Sequence, residues 1–508
     1  MPQTKVQVRE KITPELEQKD FFKPFVSESV SEEKPYQKRK FSRTQFLRGK
    51  FRVAGHYVHI EYIWLAMVEW ALSFVAFSVM SSGLSVETSG LEFALEGIIF
   101  SSLIVISLAA MGLYDTRQRN SMFDVLLHVL ASLILCIIFM VLLKVWLTDG
   151  RWPFSRILLG VSSLAAAFIG IRYFFDKYID GRLLRRNVLV LGTGERAHKI
   201  ERLRRKTDQR GFNLVGFVPS MSCQSYYVDP DKLLKVNNIC EYCLAHDIDE
   251  VVIALDDRRH GNPSNDLLDC RMSGIRVIED LDFFEREAAM VQLDLIHSGW
   301  LIKSHGFTNN YLSYFLKRTV DIVGAIILAV VFLPVMLITA IAIKMECGLK
   351  SSVLYTQKRV GRAGRLFTIY KFRSMREDAE ADGKAQWACK NDSRVTRVGE
   401  FIRKYRIDEV PQVWNVLIGN MSLVGPRPER KEFVDSLATL NDLYLERHRV
   451  APGLTGWAQL HYPYGASDKD AIEKLKYDLY YIKNHGLFLD LYILIQTVEV
   501  VIFKKGSR

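Results

Sequence analysis

Two adjacent carboxylates, Asp408 and Glu409, sit inside RIDEVPQVWNVLIGNMSLVGPRPE (Arg406–Glu429). A proline, a short apolar segment and an arginine between two prolines follow them. One carboxylate that attacks phosphorus, beside another that holds a divalent cation on a diphosphate, would make a phosphate-processing pair. Helix punctuation surrounds the pair: Asp408 near the N-cap, Pro411 in the first turn and Gly419 past the end. Capping accounts for one carboxylate but not for two, because neighbours on a helix point about 100° apart and cannot share one job. A helix N-terminus would also favour a bound anion. Pro426 and Pro428 restrict the backbone on both sides of Arg427, which preorganises its guanidinium as a phosphate donor. Upstream, YTQKRVGRAGRLFTIYKFRSM (Tyr355–Met375) reads as two strands around Gly361–Gly364. Strand alternation puts Lys371 and Arg373 on one side and Phe372 on the other. That pair of cations is either a phosphate cradle or a solvated basic face near acidic lipid.

The elements that must position these residues belong to a long and divided chain. Its 508 residues exceed one ordinary domain, and 49% of them are hydrophobic. Four apolar stretches, roughly Ile63–Met80, Phe93–Leu113, Val125–Val145 and Ile157–Phe175, approach the length of a membrane-crossing helix. Basic residues cluster before the first (Lys38, Arg39, Lys40, Arg43, Arg48, Lys50, Arg52) and after the fourth (Lys177, Arg182, Arg185, Arg186). Arg117 and Arg119 lie between the second and third, and the remaining links carry only Arg151. The positive-inside rule then places the N-terminus and everything after the fourth span in the cytoplasm. The net charge of +11 is explained by these membrane flanks, since no basic helix or aromatic-basic array suits a nucleic acid. Residues 1–50 are charged, lack an apolar core and read as disordered, without a cleavable signal peptide. Glu69, inside the first span, marks a polar pathway, a helix interface or a snorkelling side chain.

A soluble α/β unit follows. NVLVLGTGERA puts a buried strand before Gly192-x-Gly194-x-x-Ala197, the glycine-rich turn of dinucleotide-binding folds. Strand two ends at Val218-Pro219 with no acid to hold a ribose, and Tyr-x-x-x-Lys occurs only at Tyr36/Lys40 and Tyr173/Lys177, ahead of the first strand. The fold is therefore read as Rossmann-like with a structural or regulatory role rather than as a nicotinamide enzyme. Seven cysteines form no framework, and Cys240-x-x-Cys243 near His246 reads as a buried helix face rather than a zinc site. Next, KRTVDIVGAIILAVVFLPVMLITAIAIK (Lys317–Lys344) is long enough to span but carries Pro334 in its middle. A break or kink is expected there. Basic flanks on both sides, Lys317 and Arg318 against Lys344, Lys358, Arg359 and Arg362, favour a hairpin that enters one leaflet and returns. The polar run Glu377–Asp392 is a mobile loop over the site or a plain surface loop, and LFLDLYILIQTVEVVIFKK is an amphipathic helix on the leaflet or a packed core helix.

From about Tyr311 to Lys504 the chain resembles the catalytic domain of the bacterial monotopic phosphoglycosyl transferases, the polyprenyl-phosphate sugar-1-phosphate transferases. KRTVD before a proline-interrupted helix, YKFRSM, RIDEVPQVWNVLIGNMSLVGPRPE and RHRVAPGLTGWAQL carry the resemblance. Four spans, a degenerate Rossmann-like domain and this domain together resemble the large members that initiate exopolysaccharide or O-antigen assembly. The resemblance implies a multidomain membrane protein: four transmembrane helices (57–178), a Rossmann-like α/β domain (183–300) and an α/β catalytic domain (311–508) with a re-entrant helix at about 317–344. It implies transfer of sugar-1-phosphate from a UDP-sugar, glucose or galactose being expected, to polyprenyl (undecaprenyl) phosphate with release of UMP. By the same resemblance Asp408 is the nucleophile, Glu409 belongs to a Mg²⁺ site, and Lys371, Arg373 and Arg427 hold phosphates, with Arg449 a further candidate. Lys317, Arg318, Asp321 and Pro334 would anchor the domain among membrane lipids and meet the polyprenyl phosphate, although Asp321 is expected to act chiefly as an ion-pair partner of Arg318. The catalytic domain would face the cytoplasm at the bacterial inner membrane. A homodimer through the soluble domain is compatible with this organisation. HYPYGAS after WAQL departs from the small members, so their sugar specificity does not carry over.

Overall fold

A computed structural model describes residues 50–53, 56–81, 90–114, 122–147, 154–175, 185–203, 211–220, 226–257, 263–296, 311–376, 394–462 and 467–502. All but the last of the fifty N-terminal residues, the run Glu377–Asp392 and most of the basic loop residues that orient the spans lie outside this set.

Two short strands, Lys50–Val53 (β1) and His56–His59 (β2), pair antiparallel and lead into Ile60–Ser81 (α1). Gly90–Ala110 (α2), Met122–Leu147 (α3) and Phe154–Phe174 (α4) complete the first four helices, close to the expected spans. Among the described residues, four helical segments are long and apolar enough to cross a membrane: Ile60–Val79, Gly90–Ala110, Phe123–Met140 and Tyr311–Cys347. The described apolar stretch of α4, Ser163–Phe174, is shorter. Glu69 belongs to a helix interface. Its Oε2 accepts from Arg172 of α4 at 2.8 Å and from the Tyr114 hydroxyl, while Arg172 also donates to the Leu113 carbonyl. Both members of the ion pair are fully buried. Lys50 and Arg52, read as membrane flanks, instead turn toward the soluble domains: Lys50 donates to the carbonyls of Arg286 and Glu287, and Arg52 to Asn484 Oδ1.

The strand predicted before Gly192 and the one ending at Val218 are present. Arg186–Leu191 (β3), Phe212–Val218 (β4), Glu250–Ile253 (β5) and Arg276–Glu279 (β6) form a parallel sheet in the order β4-β3-β5-β6. Glu195–Glu201 (α5), Ile239–Ala245 (α6) and Ser264–Met272 (α7) connect them, and Asp280–Ala288 (α8) follows β6. Cys240 and Cys243 lie on the buried face of α6, packed with Cys270 of α7, as a core face should be.

The C-terminal domain begins with Tyr311–Cys347 (α9), a single helix that continues through Pro334. Of the expected break or kink, the break is not seen, since the backbone stays helical through the proline. Both ends of α9 nevertheless bind the same domain. Near the N-terminal end, Arg318 donates to the carbonyls of Val416 and Leu417; near the C-terminal end, Glu346 accepts from the backbone of Arg397 and Val398. Between these attachments Val330, Val331, Leu333, Leu337 and Ile338 are exposed. Leu354–Val360 (β7) and Leu366–Phe372 (β8) form the predicted hairpin. Arg397–Lys404 (α10) precedes a 3₁₀ turn at Ile407–Gln412 and Val413–Ile418 (α11). Ser422–Val424 (β9) pairs parallel with Gly453–Thr455 (β10), with Lys431–Leu440 (α12) between them. Trp457–His461 (α13), Asp468–Asn484 (α14) and Leu487–Ile502 (α15) close the chain. Read as a helix lying on the leaflet or packing inward, α15 does pack: Ile495 and Val498 reach the cluster formed by α2, α3 and α4, and Glu499 lies 3.7 Å from His128 of α3.

Removing one partner of a buried ion pair leaves an uncompensated charge. Arg172→Ala should therefore destabilise the helical bundle by about 3 kcal/mol in thermal unfolding of detergent-solubilised protein. Glu69→Gln combined with Arg172→Met should recover a large part of that loss.

Candidate active site

The predicted helix start is a tighter turn than expected. Arg406 adopts a left-handed backbone (φ 59°), and the 3₁₀ turn opens directly after it. A non-glycine residue held there is strained and needs surrounding structure to maintain it. The turn presents Asp408 and Glu409 inward, 9% and 8% exposed, before Gly419 (φ 91°) ends α11. Asn415 of α11, fully buried, accepts from the Tyr370 N–H at 3.1 Å and donates to the Thr368 carbonyl at 2.7 Å. This side chain pairs with the edge of β8 as another strand would, and so sets the acidic turn against the strand carrying Lys371.

Glu409 is the hub. Its Oε1 accepts from Lys371 Nζ at 3.0 Å and from Arg427 Nη2 at 2.7 Å, and Arg406 lies 3.7 Å from Oε2. Burial alone would raise its pKa, but Arg427, Lys371 and Arg406 outweigh that and hold it well below the usual carboxylate range. Asp408 moves the other way. Burial, reinforced by the charge of Glu409, pushes it up to about 6, with Lys371, Arg427 and Arg403 opposing. Lys371 is itself lowered by burial, which Glu409 partly offsets. The pair thus divides into an ionised carboxylate clamped by cations and a neighbour that titrates near neutrality, a division typical of functional sites.

Arg427 is placed by a close backbone crossing. The Gly425 N–H donates to the Thr455 carbonyl and the Gly453 N–H to the Pro426 carbonyl, both at 2.9 Å. A Cβ on Gly453 would fall 2.0 Å from the Gly425 nitrogen, so the turn into Pro426-Arg427-Pro428 requires glycine at the crossing. Arg373 follows β8, half-buried, with its N–H donating to the Val353 carbonyl.

Other predicted residues are placed differently. Arg449 is 68% exposed on its side chain and pairs with Glu446 one turn away, outside the cluster. Its neighbour two residues back, Arg447, points inward instead. In RHRVAPG the sequence offers two arginines and no signal for which one the turn will bury. Asp321 does not pair with Arg318. Its Oδ1 accepts from the Ser422 hydroxyl and the Leu423 N–H, both at 2.9 Å, while Arg318 caps the last carbonyls of α11. Each side chain has an unsatisfied backbone group nearby, which a helix-internal ion pair would leave unmet. Lys317 donates to Asp490 at 2.7 Å, to Tyr481 and to the Val424 carbonyl. These three residues thus tie α9 to β9, α11 and α15. Pro334 lies in the exposed apolar part of α9, away from these ties.

Among the described residues no three His, Cys, Asp or Glu side chains gather to cage a metal. One ionised carboxylate, Glu409, beside two phosphate-seeking cations suits a magnesium ion that shares its ligands with a diphosphate, the usual manner of Mg²⁺ binding. The glycine-rich turn of the Rossmann-like domain does not suit a bound phosphate. Asp256, just after β5, accepts from the N–H groups of Glu195 at 2.8 Å and Arg196 at 3.0 Å. A Cβ on Gly194 would meet that carboxylate at 1.8 Å, so the chain's own anion fills the seat a cofactor phosphate would take.

Residues 312–504 match the bacterial sugar transferase family, and residues 109–261 match a CoA-binding domain family. A UDP-N-acetylgalactosamine-undecaprenyl-phosphate N-acetylgalactosaminephosphotransferase from Aeromonas hydrophila is 42% identical over 261 residues, covering 51% of this chain and 60% of that protein. A UDP-glucose:undecaprenyl-phosphate glucose-1-phosphate transferase from Xanthomonas campestris pv. campestris is 31% identical over 365 residues, 68% of this chain and 73% of that protein. An undecaprenyl-phosphate galactose phosphotransferase from Salmonella typhimurium is 28% identical over 384 residues, 70% and 77% of the two chains. The chain belongs to the bacterial sugar transferase family.

With Asp256 in the phosphate seat, millimolar coenzyme A or NAD should leave the melting temperature of the purified protein unchanged. A rise beyond about 1 °C would show that a cofactor binds the native state. Around Glu409, Lys371→Ala and Arg427→Ala should each lower turnover about 10²-fold, the usual loss for one preorganised donor, with the fold retained by circular dichroism.

Proposed function

We infer that this protein transfers sugar-1-phosphate from a UDP-sugar to polyprenyl phosphate and releases UMP, through a covalent phosphosugar on Asp408. The reading rests on one observation above all: Asp408 lies buried beside Glu409, whose carboxylate Lys371 and Arg427 clamp at 3.0 and 2.7 Å; burial also pushes the Asp408 carboxyl up to about 6. The named relatives carry out transfers of this class, with N-acetylgalactosamine, glucose or galactose as the sugar. In the first step a carboxylate oxygen of Asp408 attacks the phosphorus that bears the sugar. An Asp–O–P bond forms, the bond to the bridging oxygen breaks, and its electron pair leaves with UMP. In the second step an oxygen of polyprenyl phosphate attacks the same phosphorus, the Asp–O–P bond breaks, and the carboxylate is regenerated with polyprenyl-diphospho-sugar as product. Lys371 and Arg427 are placed to offset charge on the phosphoryl oxygens in both displacements. Magnesium held by Glu409 and the diphosphate would supply further positive charge there.

The covalent stage separates a water-soluble donor from a lipid acceptor, so UMP leaves before the lipid phosphate attacks. Both ends of α9 attach to one domain while its middle, which holds Pro334, exposes apolar side chains, which supports a continuous helix that bends at the proline to enter one leaflet and return rather than a fifth span. With the basic flanks of the spans, this supports a site at the cytoplasmic face of the inner membrane, among its lipids, for the first membrane step of exopolysaccharide, capsule or O-antigen synthesis. A nicotinamide reaction at the glycine-rich turn is disfavoured by Asp256.

Detergent-purified protein given Mg²⁺, undecaprenyl phosphate and UDP-glucose, UDP-galactose or UDP-N-acetylgalactosamine should release UMP with one of them. Asp408→Asn should fall roughly a thousand-fold or more and retain no labelled phosphosugar on the protein. Release of UDP would overturn the reading. Because the folded pKa of Asp408 lies above its unfolded value, its contribution to stability is complete at low pH and is lost as pH rises through about 6. Only the ionised form attacks, so UMP release should climb between about pH 5 and pH 7. Asp408→Asn should raise the melting temperature at pH 8, and that gain should shrink below about pH 6.

A further inference from the structure

Arg427 does not hold its own position. Its carbonyl oxygen lies 3.0 Å from Nη2 of Arg447, and the same nitrogen donates to Asp478 Oδ2 at 2.9 Å. Nη1 of Arg447 donates to the Tyr444 hydroxyl at 2.6 Å. The Arg447 and Asp478 side chains are 6% and 4% exposed, and Tyr444 is 2% exposed, so the group is screened from solvent and stands behind the site rather than in it. Burying an arginine and an aspartate involves a large desolvation penalty that a well-packed apolar group would avoid. What the pair supplies is direction: a planar fork with one arm, Nη2, shared between the Asp478 carboxylate and the Arg427 carbonyl, and the other, Nη1, on the Tyr444 phenol.

We propose that Arg447 and Asp478 are positioning residues that fix the Pro426-Arg427-Pro428 turn and so hold the Arg427 guanidinium on Glu409 and on the substrate phosphate. Two prolines restrict the φ angles of their own residues but leave open where the turn as a whole sits. The Gly425–Gly453 crossing fixes the turn on one side; the Arg447 fork fixes it on the other. Asp478 lies on α14, which is secured elsewhere: the Val291 N–H donates to the Lys476 carbonyl, and Glu285 of α8 accepts from Lys483 at 2.6 Å and Asn484 at 2.9 Å. The accessory domain thus braces the helix from which Asp478 acts.

This proposal deepens the phosphosugar-transfer reading, and its test has one readout that does not need the reaction. Arg447→Lys keeps the charge and loses the fork; Asp478→Asn keeps the shape and loses the carboxylate. Each should lower the rate of UMP release about 10-fold or more. In an Arg427→Ala background neither should cost more than about three-fold further, because a residue that acts through Arg427 then has nothing left to position. Tyr444→Phe removes only the Nη1 partner and should stay within about three-fold of wild type. Glu285→Gln is the control for a general loosening of α14: it should lower the melting temperature and leave the rate within about three-fold of wild type. In parallel, UDP binding is measured by titration calorimetry for wild type, Arg427→Ala, Arg447→Lys, Asp478→Asn and the double variants. Arg447→Lys and Asp478→Asn should each weaken UDP binding about 10-fold or more, and the loss should not add to that of Arg427→Ala. Unchanged rates and unchanged UDP binding in folded Arg447→Lys and Asp478→Asn, or losses that add to those of Arg427→Ala, overturn the proposal. Wild-type protein that makes no UMP, with UDP binding that weakens non-additively in the variants, overturns the reaction and leaves the positioning role standing.

Discussion

The site depends on one carboxylate with several cationic claimants. Glu409 joins β8 through Lys371 and the proline turn through Arg427, with Arg406 of its own turn nearby. A buried carboxylate is tolerable only if its charge is matched, and here the matching groups come from elements far apart in the chain. The consequence falls on Asp408. It is one residue away, equally buried and without a comparable clamp, so it cannot ionise as cheaply. The chemistry assigned to the pair follows from that asymmetry between two neighbours of nearly the same type.

Attachment of the membrane helix uses the same scaffold. Lys317, Arg318 and Asp321 satisfy groups on β9, α11 and α15. The elements that carry or adjoin the acidic turn are therefore the elements that receive α9. A domain held at both ends of one apolar helix has its site placed together with that helix. On the other side, α15 packs against the helical bundle, so the site is tied to membrane-embedded structure by two elements.

The Rossmann-like domain has kept its sheet and its glycine-rich turn but has filled the anion seat with Asp256. Its most conspicuous contacts are with other parts of the chain. Lys50 of β1 and Glu287, Arg286 and Glu250, Glu285 and Lys483 form buried ion pairs where β1, α8, β5 and α14 meet. His56 of β2 adds a hydrogen bond to Tyr480 and an edge-on contact with Trp457. Such pairs add little net stability but penalise any arrangement that leaves a charge alone, which makes them registers of domain placement.

Much of this was legible in the amino-acid order. Apolar runs of membrane length, the strand before Gly192, the hairpin around Gly361–Gly364 and the Asp408–Glu409 pair with Arg427 all rest on local signals of periodicity, composition and turn chemistry, and each lies where those signals put it. The order of residues could not say which of Arg447 and Arg449 turns inward, that Asp321 serves β9 rather than Arg318, or that Asp256 reaches the glycine-rich turn. Those outcomes are settled by competition among distant backbone groups for the same side chains. Nor could it divide the labour of the two carboxylates, since Asp408 and Glu409 are nearly alike as residues. Residue type and spacing determined that an adjacent pair of carboxylates precedes a proline-flanked arginine. Burial and the position of three cations, which only the tertiary structure brings together, decided which member is clamped and which is not.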